Sequence, residues 1–476
     1  MGRLAKQTEL WVEPVELGKR IPPDHLLRKI GKILDLRFVQ REVSEFYGRN
    51  GHVSADPVVI MKLMLLLFLD DVRSERELMR VVPLRIDYLW FLGFGLEDAV
   101  PDHSVLSKAR ARWGTEVFSK LFERTIQQCV KAGLVDGEKL HVDASLIRAN
   151  ASRNSVIKVV VEAQMEKLDG KREAANTRHR STSDPDSTVV RHRDGAAVPS
   201  YKNHRVVDDK AGVITATKTT TGAVDEGQEL SALVGAHEQN TARRARVVVA
   251  DCRYGNTANF IALAKRGVRT HMGDLRSRLH NARAEGIYPA SDFAYDKTTD
   301  TFLCPAGERL HRHHFNSRRG YFEYRPKAGA CDSCPLRSAC TRDKAGRTIK
   351  RYENQELLDR ARRQSHSLRG RLDRKRRQWL QERNFGEAAV DHGFKRARWR
   401  GLGRQRIQDS LIAAIQNLRI LARRMQLPKG SPLLHAFSIL KILILTPLQA
   451  ISGFTLRCVR ENRVLTPLFG QQPGKD

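Results

Sequence analysis

The sequence has no continuous apolar stretch near its start. "MGRLAKQTELWVEPVELGKR" lacks both the hydrophobic core and the small-residue cleavage site of a secretory signal. The expectation is therefore a reducing, cytoplasmic setting. The Met-Gly opening does not complete a myristoylation pattern either, because Lys6 stands where Ser or Thr is needed. Acidic residues are in deficit: 54 Asp and Glu oppose 84 Lys and Arg, a formal net charge of +30 and a pI near 10.2. A surplus of that size concentrates polyanions and supplies phosphate contacts, which puts nucleic acid ahead of an anionic membrane surface as the partner class. Cysteine is scarce, seven in 476 residues, and a chain of this length buries enough core to fold without disulfides. The one long hydrophobic run, Leu433 to Phe454, is interrupted by Lys441 and Pro447. It reads as a packing or dimerising segment rather than a membrane span.

Residues 1–135 carry apolar side chains at three-and-four spacing almost throughout, with Asp56 and Ser74 as helix caps, and form an all-helical N-terminal domain. At "EKLHVDASLIRA" the pattern changes to a strand. Over 136–284 it continues as a polar insert of low order (about 150–200), a hairpin turning at Asp209 to Gly212, and strands alternating with helices. This arrangement implies a mixed sheet with helices on both faces. Short strands and clustered cysteines set 285–352 apart, 353–430 is basic and helical, and 431–476 is an apolar tail.

"VVVADCRYGN", Val247 to Asn256, runs four apolar residues straight into a carboxylate and a turn. Asp251 could simply open that turn, with Asn256 capping the next helix. Ligands and catalytic groups also collect at the carboxyl ends of such buried strands. Asp143 ends the strand "KLHVD" and shares a face with His141 and Ser145. Two carboxylates closing adjacent strands can share a divalent cation, Mg²⁺ or Mn²⁺, and a third would admit two ions. On the helix "RRQWLQERNFGEAAVDH", Glu382 lies on the stripe of Trp379, Phe385, Gly386 and Ala389, which is expected to face inward. Glu387, four residues from Arg383 and from Asp391, reads as part of a solvated charge ladder.

Cys304, Cys331, Cys334 and Cys340 form a second constellation, with His311, His313 and His314 as alternative ligands. In a reducing setting the cluster suits a structural Zn²⁺ better than disulfides, with a reduced, metal-free insertion as the alternative. The third constellation is "KRARWRGLGRQR", where Lys395, Arg396, Arg398, Arg400 and Arg404 surround Trp399, a mixture suited to phosphates and base stacking.

In order, "LHVDASLIRANAS", "VVVADCRYGNTANF", "CDSCPLRSAC" and "ERNFGEAAVDHGFKRARWRGL", with "PDHSVLSKAR" at Pro101, resemble the DDE transposases of bacterial insertion sequences. The resemblance is to the group with a Cys-containing insertion, and it spans about Ile21 to Arg424. It implies a fold of the α+β or α/β class, with the helical domain followed by a ribonuclease H-like catalytic domain. It also implies an Asp143, Asp251 and Glu382 triad holding two Mg²⁺, double-stranded DNA at element ends and target as substrate, and recognition of those ends by the N-terminal helices. Bringing two ends together implies a homodimer. Ala389 departs from the family's usual Lys, for which Lys395 or Arg396 can substitute, and the family's Arg before the Glu is displaced to Arg377. A decayed copy that binds DNA without cutting, or a nuclease that does not join, are the alternative functions.

Overall fold

The computed structural model describes residues 16–47, 54–158, 179–192, 195, 197–274, 286–317 and 319–425. The apolar tail from 431 and Cys458 lie outside the described residues.

The N-terminal part is a bundle of helices α1 (Leu17–Arg20), α2 (Leu26–Ile33), α3 (Arg37–Val43), α4 (Pro57–Leu69), α5 (Glu75–Val81), α6 (Ile86–Leu92), α7 (Ser104–Trp113) and α8 (Glu116–Lys131). Asp56 caps α4 by accepting from the Val58 amide, and Ser74 caps α5 by accepting from Glu77, as their positions predict. Pro83 and Gly114 divide what reads in sequence as continuous helix. The helix α4 is apolar on every side and is the buried centre of the bundle.

The hairpin, strands and helices of 136–284 appear where the periodicity puts them. Strands β1 (Lys139–Arg148), β2 (Val156–Lys158), β3 (His179–Ser181), β4 (Thr188–Arg191), β5 (Ala197–Asp208), β6 (Ile214–Thr221), β7 (Val247–Ala250) and β8 (Arg269–Met272) form one sheet. Its central order is β6-β5-β1-β7-β8: β6, β5 and β1 are antiparallel neighbours, and β7 and β8 run parallel to β1. The insert read as a loop over 150–200 contributes β2, β3 and β4, which extend the sheet from β5. Short polar strands bury too little to show an apolar pattern, so sequence periodicity misses them. Residues 159–178 of that insert are outside the described residues.

One face of the sheet is covered by α9 (Leu230–Thr241), α10 (Thr257–Lys265) and α12 (Gln355–His366), in a core of Leu140, Val142, Val248, Leu233 and Phe260. The other face is covered by α13 (Leu368–Asp391) and α14 (Leu402–Met425). Their core joins Ile147, Tyr201 and Val207 of the sheet to the N-terminal bundle through Phe394, Ile412 and Phe68. Between the faces in sequence, β9 (Ala294–Asp296), β10 (Thr301–Leu303), β11 (Arg309–Asn316), β12 (Tyr321–Arg325) and β13 (Ile349–Tyr352) form a separate antiparallel sheet, with the short helix α11 (Arg337–Cys340) beside it.

Candidate active site

Parallel pairing sets His141 opposite Val249. Asp143 and Asp251 each stand two residues further on, at the same level of strands about 4.8 Å apart; Asp251 follows the end of β7, whereas Asp143, expected to end its strand, lies within β1, which pairs with β5 as far as Arg148. The alternation of β1 puts Lys139, His141, Asp143 and Ser145 on the face beneath α13, where each side chain or its backbone is engaged. Asp143 accepts from Arg377 Nη1 at 2.7 Å and from the Ala144 amide at 2.9 Å. Burial pushes its carboxyl above the ordinary range, Arg377 and that amide oppose the shift, and the neighbouring Asp251 adds to it. Asp251 Oδ1 accepts from the Arg253 amide at 2.8 Å, so it also opens the turn. Gly255 in this turn cannot be replaced, because a Cβ there would lie 1.7 Å from the Gly273 carbonyl oxygen.

The helix face expected to carry Glu382 inward points elsewhere. Polar anchors orient α13: Asp373 binds Lys139 and His271 at 2.8 and 2.7 Å, Gln381 donates to the His141 carbonyl at 2.7 Å, and Asn384 accepts from Arg205 at 2.7 Å. These turn the Asp373, Arg377, Gln381, Asn384 and Ala388 stripe to the sheet. Trp379 is left 55% exposed, and Glu382 is exposed on the flank with its carboxylate accepting from Gln378 at 3.0 Å. The apolar count misjudged the face because amide and charged anchors, not the large apolar residues, decide it.

Glu387 and Asp391 are likewise not a solvated ladder. Both close on Arg419 of α14, at 3.7 and 2.6 Å, with His392 3.2 Å from the same guanidinium. Their ligating atoms lie within 4.8 Å of one another, but Arg419 already supplies the cation.

The basic segment divides in two. Arg396, Arg400 and Arg404 are exposed, and Lys395 Nζ donates to Ser145 Oγ at 2.6 Å, two residues past Asp143 on the same strand face. Arg398 and Trp399 are structural instead. Arg398 pairs with Asp71 and stacks on Phe68, while Trp399 meets Phe68 edge to face and lies 3.9 Å under the Arg110 guanidinium. Both are held in the seam through which the N-terminal bundle joins the sheet domain, where they line a cavity with Arg76 and Arg396.

Cys304, Cys331, Cys334 and Cys340 line one cavity of about 240 Å³. Cys304 Sγ accepts from the Glu308 amide at 3.3 Å, and burial and the other three thiols push the Cys340 thiol up. The four sulfurs do not draw within 4.8 Å of one another. His311, His313 and His314 are exposed along β11, outside this cavity.

Sequence reading gave no role to two buried residues near the Asp251 loop. Glu226, in the turn before α9, is 7% exposed and pairs with Arg253 at 3.0 Å and Lys202 at 3.5 Å. Tyr254, within "VVVADCRYGN", is fully buried with no hydrogen-bond partner for its hydroxyl. The signal for Glu226 was available in "DEGQEL", an acidic turn between a strand and a helix, but acidic helix starts are too common to single out.

Three antiparallel strands followed by two parallel ones, with helices on both faces and two acids at the same level of the central pair, make this a ribonuclease H-like fold. Residues 15–112 match the family model Transposase domain (DUF772), and residues 303–422 match Transposase DDE domain. These two matches mark the protein as a transposase with a DDE domain. Among solved structures it is similar to the piggyBac transposase synaptic complex with hairpin DNA, at 11% identity over 86% of this chain and 83% of that one, TM-score 0.27. It is also similar to the Mos1 transposase paired-end complex with left transposon end, at 12% identity over 49% and 64%, TM-score 0.16. No curated protein matches the chain.

Proposed function

We propose that this transposase cuts and rejoins double-stranded DNA at the β1–β7 edge, with Asp143, Asp251 and Glu382 as its carboxylates. The alignment of Asp143 with Asp251 on adjacent parallel strands carries the reading. Hard carboxylate oxygens with a buried, unpartnered Tyr254 hydroxyl nearby suit Mg²⁺, with Mn²⁺ as a substitute. When bound, two such ions supply the charge that activates an attacking oxygen and steadies a leaving one. The chain's own groups position the reaction. Arg377 holds Asp143, Lys395 reaches Ser145 beside it, and Arg396, Arg400 and Arg404 offer exposed guanidinium groups to phosphates. Lys395 thereby stands in for the basic residue missing at Ala389. Glu382 is exposed on the flank of α13, five residues past Arg377, and its place in the triad rests on the family resemblance. Joining two ends calls for a homodimer on paired ends. A structural Zn²⁺ in the cysteine cavity is the metal counterpart in the insertion; closing it requires the sulfurs to move together.

The test is cleavage of a plasmid bearing this gene's flanking DNA, with Mg²⁺ or Mn²⁺. Metal-dependent cuts at inverted ends that vanish in Asp143→Asn, Asp251→Asn and Glu382→Gln, with DNA binding retained, are expected. Full cleavage by Asp251→Asn would overturn the assignment. The exposed Glu382 and the Ala389 departure favour a second reading, a copy that binds without cutting, and wild type that grips these ends but leaves them intact would establish it.

A further inference from the structure

Glu226 is a carboxylate that the Asp-Asp-Glu reading leaves unused, yet its turn packs beside the loop of Asp251; the ligating oxygens of Glu226, Asp143 and Asp251 do not all lie within 4.8 Å of one another, so closing on an ion requires them to move together. Glu226 follows β6 and precedes α9, so it approaches from the face of the sheet opposite α13. Its turn is packed onto the loop that carries Asp251. A Cβ at Gly227 would lie 2.7 Å from Asn256 Nδ2 and 2.9 Å from the Arg253 carbonyl oxygen, and Asn259 Nδ2 donates to the Gly227 carbonyl at 2.8 Å. Arg253 ties the two acids together: its backbone amide donates to Asp251 and its guanidinium to Glu226, at 2.8 and 3.0 Å.

A buried ion pair would explain Glu226 alone, and Lys202 with Arg253 provides one. It does not explain Tyr254. The hydroxyl of that side chain is fully buried with no protein partner, in the loop between Asp251 and the Glu226 turn. An unsatisfied buried hydroxyl is costly unless a ligand completes it. The charges of Glu226, Asp143 and Asp251 all act on it, raising its pKa beyond the effect of burial. The same two aspartates act on Glu226, whose carboxyl burial pushes up while Lys202 and Arg253 oppose.

We propose that Glu226 joins Asp143 and Asp251 as a carboxylate of the divalent-cation cluster, with the Tyr254 hydroxyl directed at the ligand shell. The proposal rests on the β1–β7 edge being the cation site. It differs from the triad in drawing an acid from the α9 face as well as the α13 face.

The probe is Mn²⁺ itself, titrated into the full chain without DNA and read by electron paramagnetic resonance. Measured well below its melting temperature, Glu226→Gln is expected to weaken Mn²⁺ binding about tenfold or more while leaving DNA affinity near wild type. Affinity within twofold of wild type in a folded Glu226→Gln protein would overturn the proposal. If that variant does not fold, Glu226→Asp keeps the charge and retracts the oxygens by one methylene, and unchanged Mn²⁺ affinity there would overturn it equally. Asp143→Asn and Asp251→Asn separate the two levels. If both bind Mn²⁺ as wild type does, the edge is not the cation site and both readings fall; if both lose it and the Glu226 variants do not, only this one falls.

Discussion

Replacing Arg205 by alanine removes a side chain that ties the sheet to both helices above the candidate site. Arg205 lies on β5 directly opposite Asp143 and is fully buried. It donates to Asn203 Oδ1, Asn384 Oδ1 and Gln416 Oε1 at 2.8, 2.7 and 2.8 Å, and its guanidinium lies 4.9 and 4.5 Å from the rings of Phe385 and Phe394. Burial pulls its pKa down to about 10, and the nearby Asp409, itself pushed up to about 6 by burial, partly restores it. Truncation strands three buried acceptors at roughly 1–3 kcal/mol each, and relaxation and water entry recover part of that. Removing one member of a buried charge network costs about 3–5 kcal/mol overall. We therefore expect Arg205→Ala to lose about 4 kcal/mol, or about a thousandfold in the folding constant, in urea unfolding followed by tryptophan fluorescence. Arg205→Lys keeps the charge but cannot serve three acceptors in a planar fork, and should fall between the two. A loss below about 1 kcal/mol for Arg205→Ala would refute the argument, because surface substitutions already reach half of that.

The basic segment should separate by exposure. Arg398→Ala should lower the melting temperature, whereas Arg400→Ala and Arg404→Ala should leave it unchanged and each reduce the salt slope of DNA binding by about one; a common effect on stability would contradict the division. Two buried histidines set a pH dependence. Burial holds His237 near 4 and His204 near 3, both below the ordinary 6.5, so the unfolded chain takes up these protons first. Stability is then full above about 6.5 and declines as pH falls through the folded values, by about 3 kcal/mol for His237 alone. His237→Gln should flatten the melting temperature measured from pH 7 to pH 4, and a profile as steep as wild type would rule this source out. Metal content tests the insertion: one Zn²⁺ per chain is expected, lost with Cys331→Ser and Cys334→Ser together, and a zinc-free wild type purified without chelator would leave the thiols as a reduced pocket.

Short-range rules made much of this molecule readable. The caps at Asp56, Ser74 and Asn256, the hairpin at Asp209 to Gly212 and the buried strand of Val247 to Ala250 are each set by residues within a few positions of one another. The turn that sets Asp251 after Ala250 and the alternation that sets the face of Asp143 were legible for the same reason, although β1 runs on past Asp143 to Arg148. The sequence by itself thus determined most of the elements, their order and the strand positions of the two aspartates. The rotation of α13 was decided by tertiary structure, because Asp373, Gln381 and Asn384 find partners on β1, β8 and β5 that lie more than a hundred residues away in the chain. The same holds for Arg398, braced by Asp71, and for Glu226, set beside the Asp251 loop by the packing of one turn on another. Local periodicity describes which side of a helix is apolar; only the assembled partners decide which polar groups are buried, because a buried charge goes where its counter-charge and hydrogen bonds are.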